Sequence, residues 1–109
     1  MLKKTSEFQS VREHRKSEKN SLLTLYHAPN SLSLYRVGFT ISKRIGKAHV
    51  RNKLRRRMRE ILRNTSIIPG IDLIFVARDS AGSVGFRHLE QSILGILKKA
   101  NLLNITMST

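Results

Sequence analysis

From Lys43 to Arg63 the chain gathers ten of its 21 Lys and Arg residues around a single acid, Glu60. On an α-helix, turning about 100° per residue, Val50, Leu54, Met58, Ile61 and Leu62 share one arc. Asn52, Arg55, Arg56, Arg59 and Arg63 share the opposite one. The pattern predicts a helix that docks on a core by one face while the other confronts a polyanion.

Like charges at i,i+4, such as Arg51, Arg55 and Arg59, repel and lower helix stability unless an anion is present. A cost kept on one face points to a ligand for that face, and the planar fork of Arg grips phosphate at two points. Asn52 within the stripe is a poor helix former and is expected to hydrogen-bond a neighbour or a ligand. The formal net charge of +14 and pI near 11.4 make a multiply charged anion the expected partner, with nucleic acid the leading class. Membrane binding is disfavoured, because the chain has no Trp and its basic helix lacks the aromatic anchors of interfacial helices.

With 109 residues the chain reads as one domain, 1–109, with a short tail near 103–109. Cysteine is absent, so folding rests on the core alone, which is compatible with a reducing cytoplasm. Met1-Leu2-Lys3-Lys4 opens like an export signal, but Glu7, Arg12, Glu13 and Arg15 interrupt any apolar stretch after it. The longest apolar run, Leu73 to Ala77, falls far short of a membrane span.

Ser6-Glu7-Phe8-Gln9 has the form of a capping box and predicts a short helix from Glu7 to His14, followed by a polar connector over Arg15 to Asn20. Leu22 to Tyr26 reads as a strand with Leu23 and Leu25 on one face, and a turn is expected over His27 to Ser31. A second strand from Ser33 to Ser42 sets Tyr35, Val37, Phe39 and Ile41 toward the core, leaving Leu34, Arg36, Gly38 and Thr40 on a face open to solvent or ligand. Ile71 to Ala77 is apolar enough for a central strand, Arg78 to Gly85 reads as a loop, and Phe86, Leu89, Ile93, Leu94, Ile96 and Leu97 trace a closing helix that ends near Asn101. Leu102 to Thr109 reads as the tail.

Protein catalysis is poorly supported. His14, His27, His49 and His88 lack metal-ligand spacing and are expected at the surface. The seven acids form no pair suited to acid–base or metal chemistry. Gly38 and Gly46 are isolated and fit a strand and the approach to a helix better than a phosphate loop. Phe8, Val11 and Tyr26 are a second candidate: a helix against the open sheet face can leave an aromatic groove for unstacked bases, while the alternative reading has Phe8 and Val11 merely fastening that helix to the sheet.

Arg36-Val37-Gly38-Phe39-Thr40-Ile41-Ser42-Lys43-Arg44-Ile45-Gly46-Lys47-Ala48, then Arg51-Asn52-Lys53-Leu54-Arg55-Arg56 and Arg59-Glu60, closely resembles the signature of the bacterial ribonuclease P protein subunit. Leu2-Lys3-Lys4, Glu7-Phe8 and Val11 resemble the family's start, and Gly70, Asp72 and Ala77-Arg78 its central strand. The resemblance runs from about Leu2 to Leu103. It implies an α+β fold: a two-layer α/β sandwich on a mostly antiparallel sheet, with the Arg-rich helix in a left-handed βαβ crossover. It implies further that an RNA is the catalyst, using Mg2+ bound mainly by that RNA to hydrolyse precursor tRNA and release the 5′ leader. The resemblance places Lys43, Lys47, Arg51, Asn52, Lys53, Arg55, Arg56 and Arg59 on the RNA-contacting surface. It places Phe8, Val11, Arg12, Tyr26 and Arg36 in the leader-binding cleft. Arg12 stands where an aromatic is common, Arg15 where a glycine is, and His49 where an aliphatic residue is usual; guanidinium stacking by Arg12 would alter leader preference.

The expected partners are therefore the ribonuclease P catalytic RNA and precursor tRNA, without DNA or membrane, in the cytoplasm, and no protein residue is expected to be catalytic. A small basic ribosomal protein is the alternative. A helix-turn-helix DNA regulator would need two short helices joined by a tight turn, which the strands around the basic helix oppose.

Overall fold

Side-chain alternation builds the sheet. The computed structural model describes residues 16–104. In it, strand β2 (Leu23–Pro29) buries Leu23 and Leu25 on one face and leaves Thr24 and Tyr26 half-buried on the other. Strand β4 (Ile71–Ala77) buries Leu73 and Phe75 on the same side as Leu23 and Leu25. Strands β1 (Lys16–Lys19) and β3 (Arg36–Thr40) complete a sheet of order β1-β2-β4-β3. The β1–β2 and β2–β4 pairs are antiparallel, and β3–β4 is parallel.

A parallel neighbour requires a crossover connection. Helix α1 (Ala48–Arg63) supplies it between β3 and β4, and helix α2 (Phe86–Lys99) follows β4. Leu54, Met58, Ile61 and Leu62 of α1 and Leu89, Ile93, Ile96 and Leu97 of α2 join Leu23, Leu25, Leu73 and Phe75 in one core. Both helices thus cover one face of the sheet, giving the expected two-layer α+β sandwich.

Several local expectations need correction. Lys16 to Lys19, read as a connector, is a strand; its polar sequence suits an exposed sheet edge, where charge discourages further pairing. The turn expected at His27 to Ser31 begins later, because β2 runs on to Pro29, which pairs with Ile71. Asn30 makes that turn: its Oδ1 accepts from the Leu32 N–H at 2.8 Å, its Nδ2 donates to the Leu34 carbonyl, and Ser31 takes φ 62°. The next strand accordingly starts at Arg36 instead of Ser33. His27, expected at the surface, is buried in β2. The Arg78 to Gly85 loop contains a 3-10 helix, Asp79–Ser83.

Leu102 to Asn104, read as part of the tail, are held in the fold. Leu102 is buried, its carbonyl accepts from the Ile68 N–H, Leu103 bridges Ile67, and the Asn104 N–H donates to the Ser66 carbonyl. The expected first helix, with Phe8, Val11 and Arg12, lies outside the described residues, as do positions 105–109.

Candidate nucleic-acid interface

The approach to α1 is fixed by two glycines. Gly46 has φ 154°, where L side chains are strained, and a Cβ there would meet Val50 at 3.1 Å. A Cβ on Gly82 would stand 2.9 Å from the Ile45 carbonyl oxygen, so the Asp79–Ser83 segment lies directly against the 3-10 turn Lys43–Ile45. That turn is capped by Ser42, whose Oγ accepts from the Arg44 N–H.

Four buried apolar side chains then anchor α1. At about 1.5–3 kcal/mol each, their burial outweighs the few tenths lost per like-charge i,i+4 pair. The cationic face can therefore persist without a partner.

That face is continuous and exposed. Lys43, Lys47, Asn52, Lys53, Arg56 and Arg59 are exposed, and Arg51 and Arg55 are half-buried. Arg51 donates through Nε to the Gly46 carbonyl, Arg55 to Asn52 Oδ1 at 3.1 Å, and Arg57 to the Val84 carbonyl. These acceptors are neutral, so the head groups are oriented without any carboxylate among the described residues compensating their charge. Asn52 is thus the orienting partner of Arg55, consistent with its expected hydrogen bonding. Two ion pairs lie at the margins of this face, Arg44 with Asp79 at 2.8 Å and Arg63 with Glu60 at 3.4 Å, both largely exposed and worth little. Beside α1, a recess of about 400 Å³ is lined by His49, Lys53, Arg57 and the backbone of residues 81–85.

The other sheet face carries Tyr26 and Arg36. Tyr26 sits opposite Ile74 on β4, which in turn sits opposite Gly38 on β3; Tyr26 and Val76 pack against Ala28 and Ile74. This face is less open than expected, since Gly38, Ala28, Ile74 and Asp72 are all buried. Arg36 holds Asp72 through two bonds, at 2.8 and 2.7 Å, and Asn30 donates to the same carboxylate at 2.8 Å. Burial pushes the Asp72 pKa up, but the bonds from Arg36 and Asn30 and the Arg36 charge outweigh it and hold the group below its usual range.

Around Tyr26 a polar recess gathers Lys19, Arg78 and Lys99 with Ser17, Glu18 and Thr24. Sequence reasoning assigned no role there to the three cations. They come from three separated segments, and only strand pairing and the Arg78 N–H to Leu22 carbonyl bond bring two of them together. Among the described residues no three His, Cys, Asp or Glu side chains group so as to hold a metal ion.

The family model for ribonuclease P matches residues 1–101. The ribonuclease P protein component of Alkaliphilus oremlandii is 40% identical over 94% of this chain and 92% of its own length. That of Caldanaerobacter subterraneus subsp. tengcongensis is also 40% identical, over 93% and 89%. The solved structure of the Staphylococcus aureus ribonuclease P protein superposes with a TM-score of 0.87 at 29% identity, covering 94% of this chain and 96% of that one. Similarity on this scale spans the sheet, the crossover and the arginine helix together, and the chain belongs to the ribonuclease P protein family.

Proposed function

We propose that this protein component of ribonuclease P binds the catalytic RNA through the α1 band and the 5′ leader of precursor tRNA through the Tyr26 face. The observation that carries the reading is the row of exposed Lys47, Lys53 and Arg56 with half-buried Arg55, whose charges meet no carboxylate among the described residues. Lys43, Arg51, Asn52 and Arg59 extend it. Phosphates supply the missing anions, and a fixed bank of cations screens the repulsion between two RNAs brought side by side.

The holoenzyme is an endoribonuclease, and no protein side chain is assigned to bond cleavage. In this proposal the Mg2+ of the chemistry is held mainly by the RNA. The protein contributes position: it holds the leader extended and so favours the productive alignment of substrate on the catalytic RNA. Arg36, whose charge Asp72 compensates, acts in the cleft as part of a rigid floor, while Lys19 and Arg78 stand beside Tyr26 for leader phosphates. Phe8, Val11 and Arg12 complete this cleft in the proposal. The setting in this proposal is the cytoplasm, where precursor tRNA is processed.

Family membership sets aside the ribosomal alternative. The regulator alternative fails on topology, since β4 separates α1 from α2. The decisive experiment is reconstitution with the cognate ribonuclease P RNA and precursor tRNA at low Mg2+. Adding the protein is expected to raise the rate of leader removal, and no gain would refute the proposal.

A further inference from the structure

Where the last turns of α1 pass the outer edge of the sheet, a recess of about 260 Å³ opens between Tyr35, Val37 and Phe39 on the sheet side and Arg59, Leu62 and Arg63 on the helix. Its floor is largely apolar, and Phe39 is braced from behind by Phe75, their rings stacked at 6.2 Å. Strand β3 lies at the edge of the described sheet, and among the described residues no further strand pairs with it. Tyr35 is half-buried, and its hydroxyl makes no hydrogen bond to a described residue. Its neighbours on the helix are two exposed guanidinium-bearing side chains.

Aromatic floor and cationic rim are the two elements with which proteins hold an unstacked nucleotide: a base rests on a ring, and Arg takes the adjoining phosphate. The recess is smaller than the roughly 300–1,000 Å³ of drug-sized ligand sites, which suits one planar group better than a larger ligand. It is also continuous with the cationic band through Arg59. Val37 and Phe39 pair in register with Leu73 and Phe75 and pack with them on the helix-covered side, the opposite face from Tyr26. A strand of RNA lying on α1 reaches this recess; a leader lying across Tyr26 does not.

We propose that this recess receives one unpaired nucleobase of the ribonuclease P RNA, stacked on Tyr35, with Arg59 and Arg63 on its flanking phosphates. The inference rests on the reading of α1 as the RNA-binding face. It adds a base contact to a surface otherwise built for phosphates, and so gives the band a fixed register on its RNA.

The two kinds of contact differ in their response to salt. Loss of a stacking contact lowers affinity at every salt concentration equally, whereas loss of a phosphate contact makes the salt dependence shallower. In the full chain, Tyr35→Leu keeps apolar volume and removes the ring. We expect it to weaken binding of the cognate RNA about 10-fold with an unchanged salt slope, and Tyr35→Phe to bind as wild type. Ultraviolet cross-linking of the wild-type complex, which needs no variant to fold, is expected to join a base to the peptide containing Tyr35.

Wild-type affinity in Tyr35→Leu together with no adduct at that peptide would overturn the inference. So would sedimentation showing that the wild type pairs with a second copy and that Tyr35→Leu abolishes this, since the recess would then be an interface between protein chains. Failure of the underlying reading has a separate signature: Arg55→Ala with Arg56→Ala would leave RNA affinity and its salt slope unaltered.

Discussion

Arg36 and Asp72 face each other in register across β3 and β4, joined by Nε–Oδ1 and Nη2–Oδ2 bonds of 2.8 and 2.7 Å. The pair ties the edge strand to the central one at the point where the chain leaves the Asn30 turn, and Asn30 itself completes the carboxylate's shell. The Asp72 side chain is 6% exposed and that of Arg36 25%, so the pair lies between a surface ion pair and a fully buried one.

Asp72→Asn keeps the shape but strips Arg36 of its counter-charge. A charged hydrogen bond contributes about 1.5–3 kcal/mol, and breaking a fully buried pair costs about 3–5. Partial exposure of Arg36 places the expected loss at about 2–3 kcal/mol, or roughly 10–20 °C in Tm for a domain of this size. Arg36→Met with Asp72→Leu is expected to recover part of it, because no charge is then left alone. Thermal melts of the three proteins measure this, and a shift under 3 °C for Asp72→Asn would contradict it.

Acid acts on two groups in succession. His27 is buried, its Nε2 without a hydrogen-bond partner among the described residues; desolvation lowers its pKa below 6.5, with Glu18 opposing and Lys16 adding to the lowering. The unfolded chain therefore binds the proton more readily than the folded one, and stability falls as pH drops below about 6.5. Asp72, held below its usual 3.8, contributes stability above that value and loses it as pH falls through the lower folded pKa. Denaturant midpoints at pH 7.5 and 5.5 should fall in wild type and fall less in His27→Leu; equal drops would remove His27 as the cause. The later loss, below pH 3.8, should be missing in Asp72→Asn.

Periodicity revealed what periodicity controls. Leu54, Met58, Ile61 and Leu62 lie under α1 and the arginines above it because one helical arc must find the core, and Leu23, Leu25, Leu73 and Phe75 meet because alternate residues of two strands face one way. What depends on long-range pairing was hidden. Lys16 to Lys19 carry no apolar signal, and only hydrogen bonding to β2 makes them a strand; His27 looked like a turn residue beside Pro29 until β4 covered it. The Arg36–Asp72 bond joins residues 36 positions apart in sequence, and Lys19, Arg78 and Lys99 reach Tyr26 from three separate segments. Arg36 was legible as a member of the open face, but its compensation by Asp72 was not.

The α1 band should give RNA binding a steep salt dependence. If about five phosphates are neutralised, affinity falls roughly 10² to 10³-fold between 50 and 200 mM salt. Removing two contacts with Arg55→Ala and Arg59→Ala should weaken binding to every RNA and lower the magnitude of the log–log slope by roughly 1.5–2. Both residues lie off the buried arc, so the melting temperature should hardly move. Binding titrations over that salt range measure the slope, and a flat response in the wild type would contradict a phosphate-gripping helix.

Tyr26 tests the division of labour between the two faces of the sheet. It belongs to the face opposite α1, beside Lys19 and Arg78, and its ring packs on the small cluster of Ala28 and Ile74. Tyr26→Ala removes one stacking surface for an unpaired base, worth about 1–3 kcal/mol, or roughly 5- to 150-fold in affinity. That loss should fall on precursor tRNA bearing a leader, while affinity of the holoenzyme for mature tRNA and of the protein for the catalytic RNA stays within about twofold, since α1 is untouched. Tyr26→Phe, which keeps the ring, should restore the leader-bearing substrate. Some destabilisation from the lost packing is expected, and measuring both substrates on one holoenzyme preparation cancels it. Equal losses on leader-bearing and mature tRNA would take Tyr26 out of the leader cleft and leave it a packing residue of the sheet.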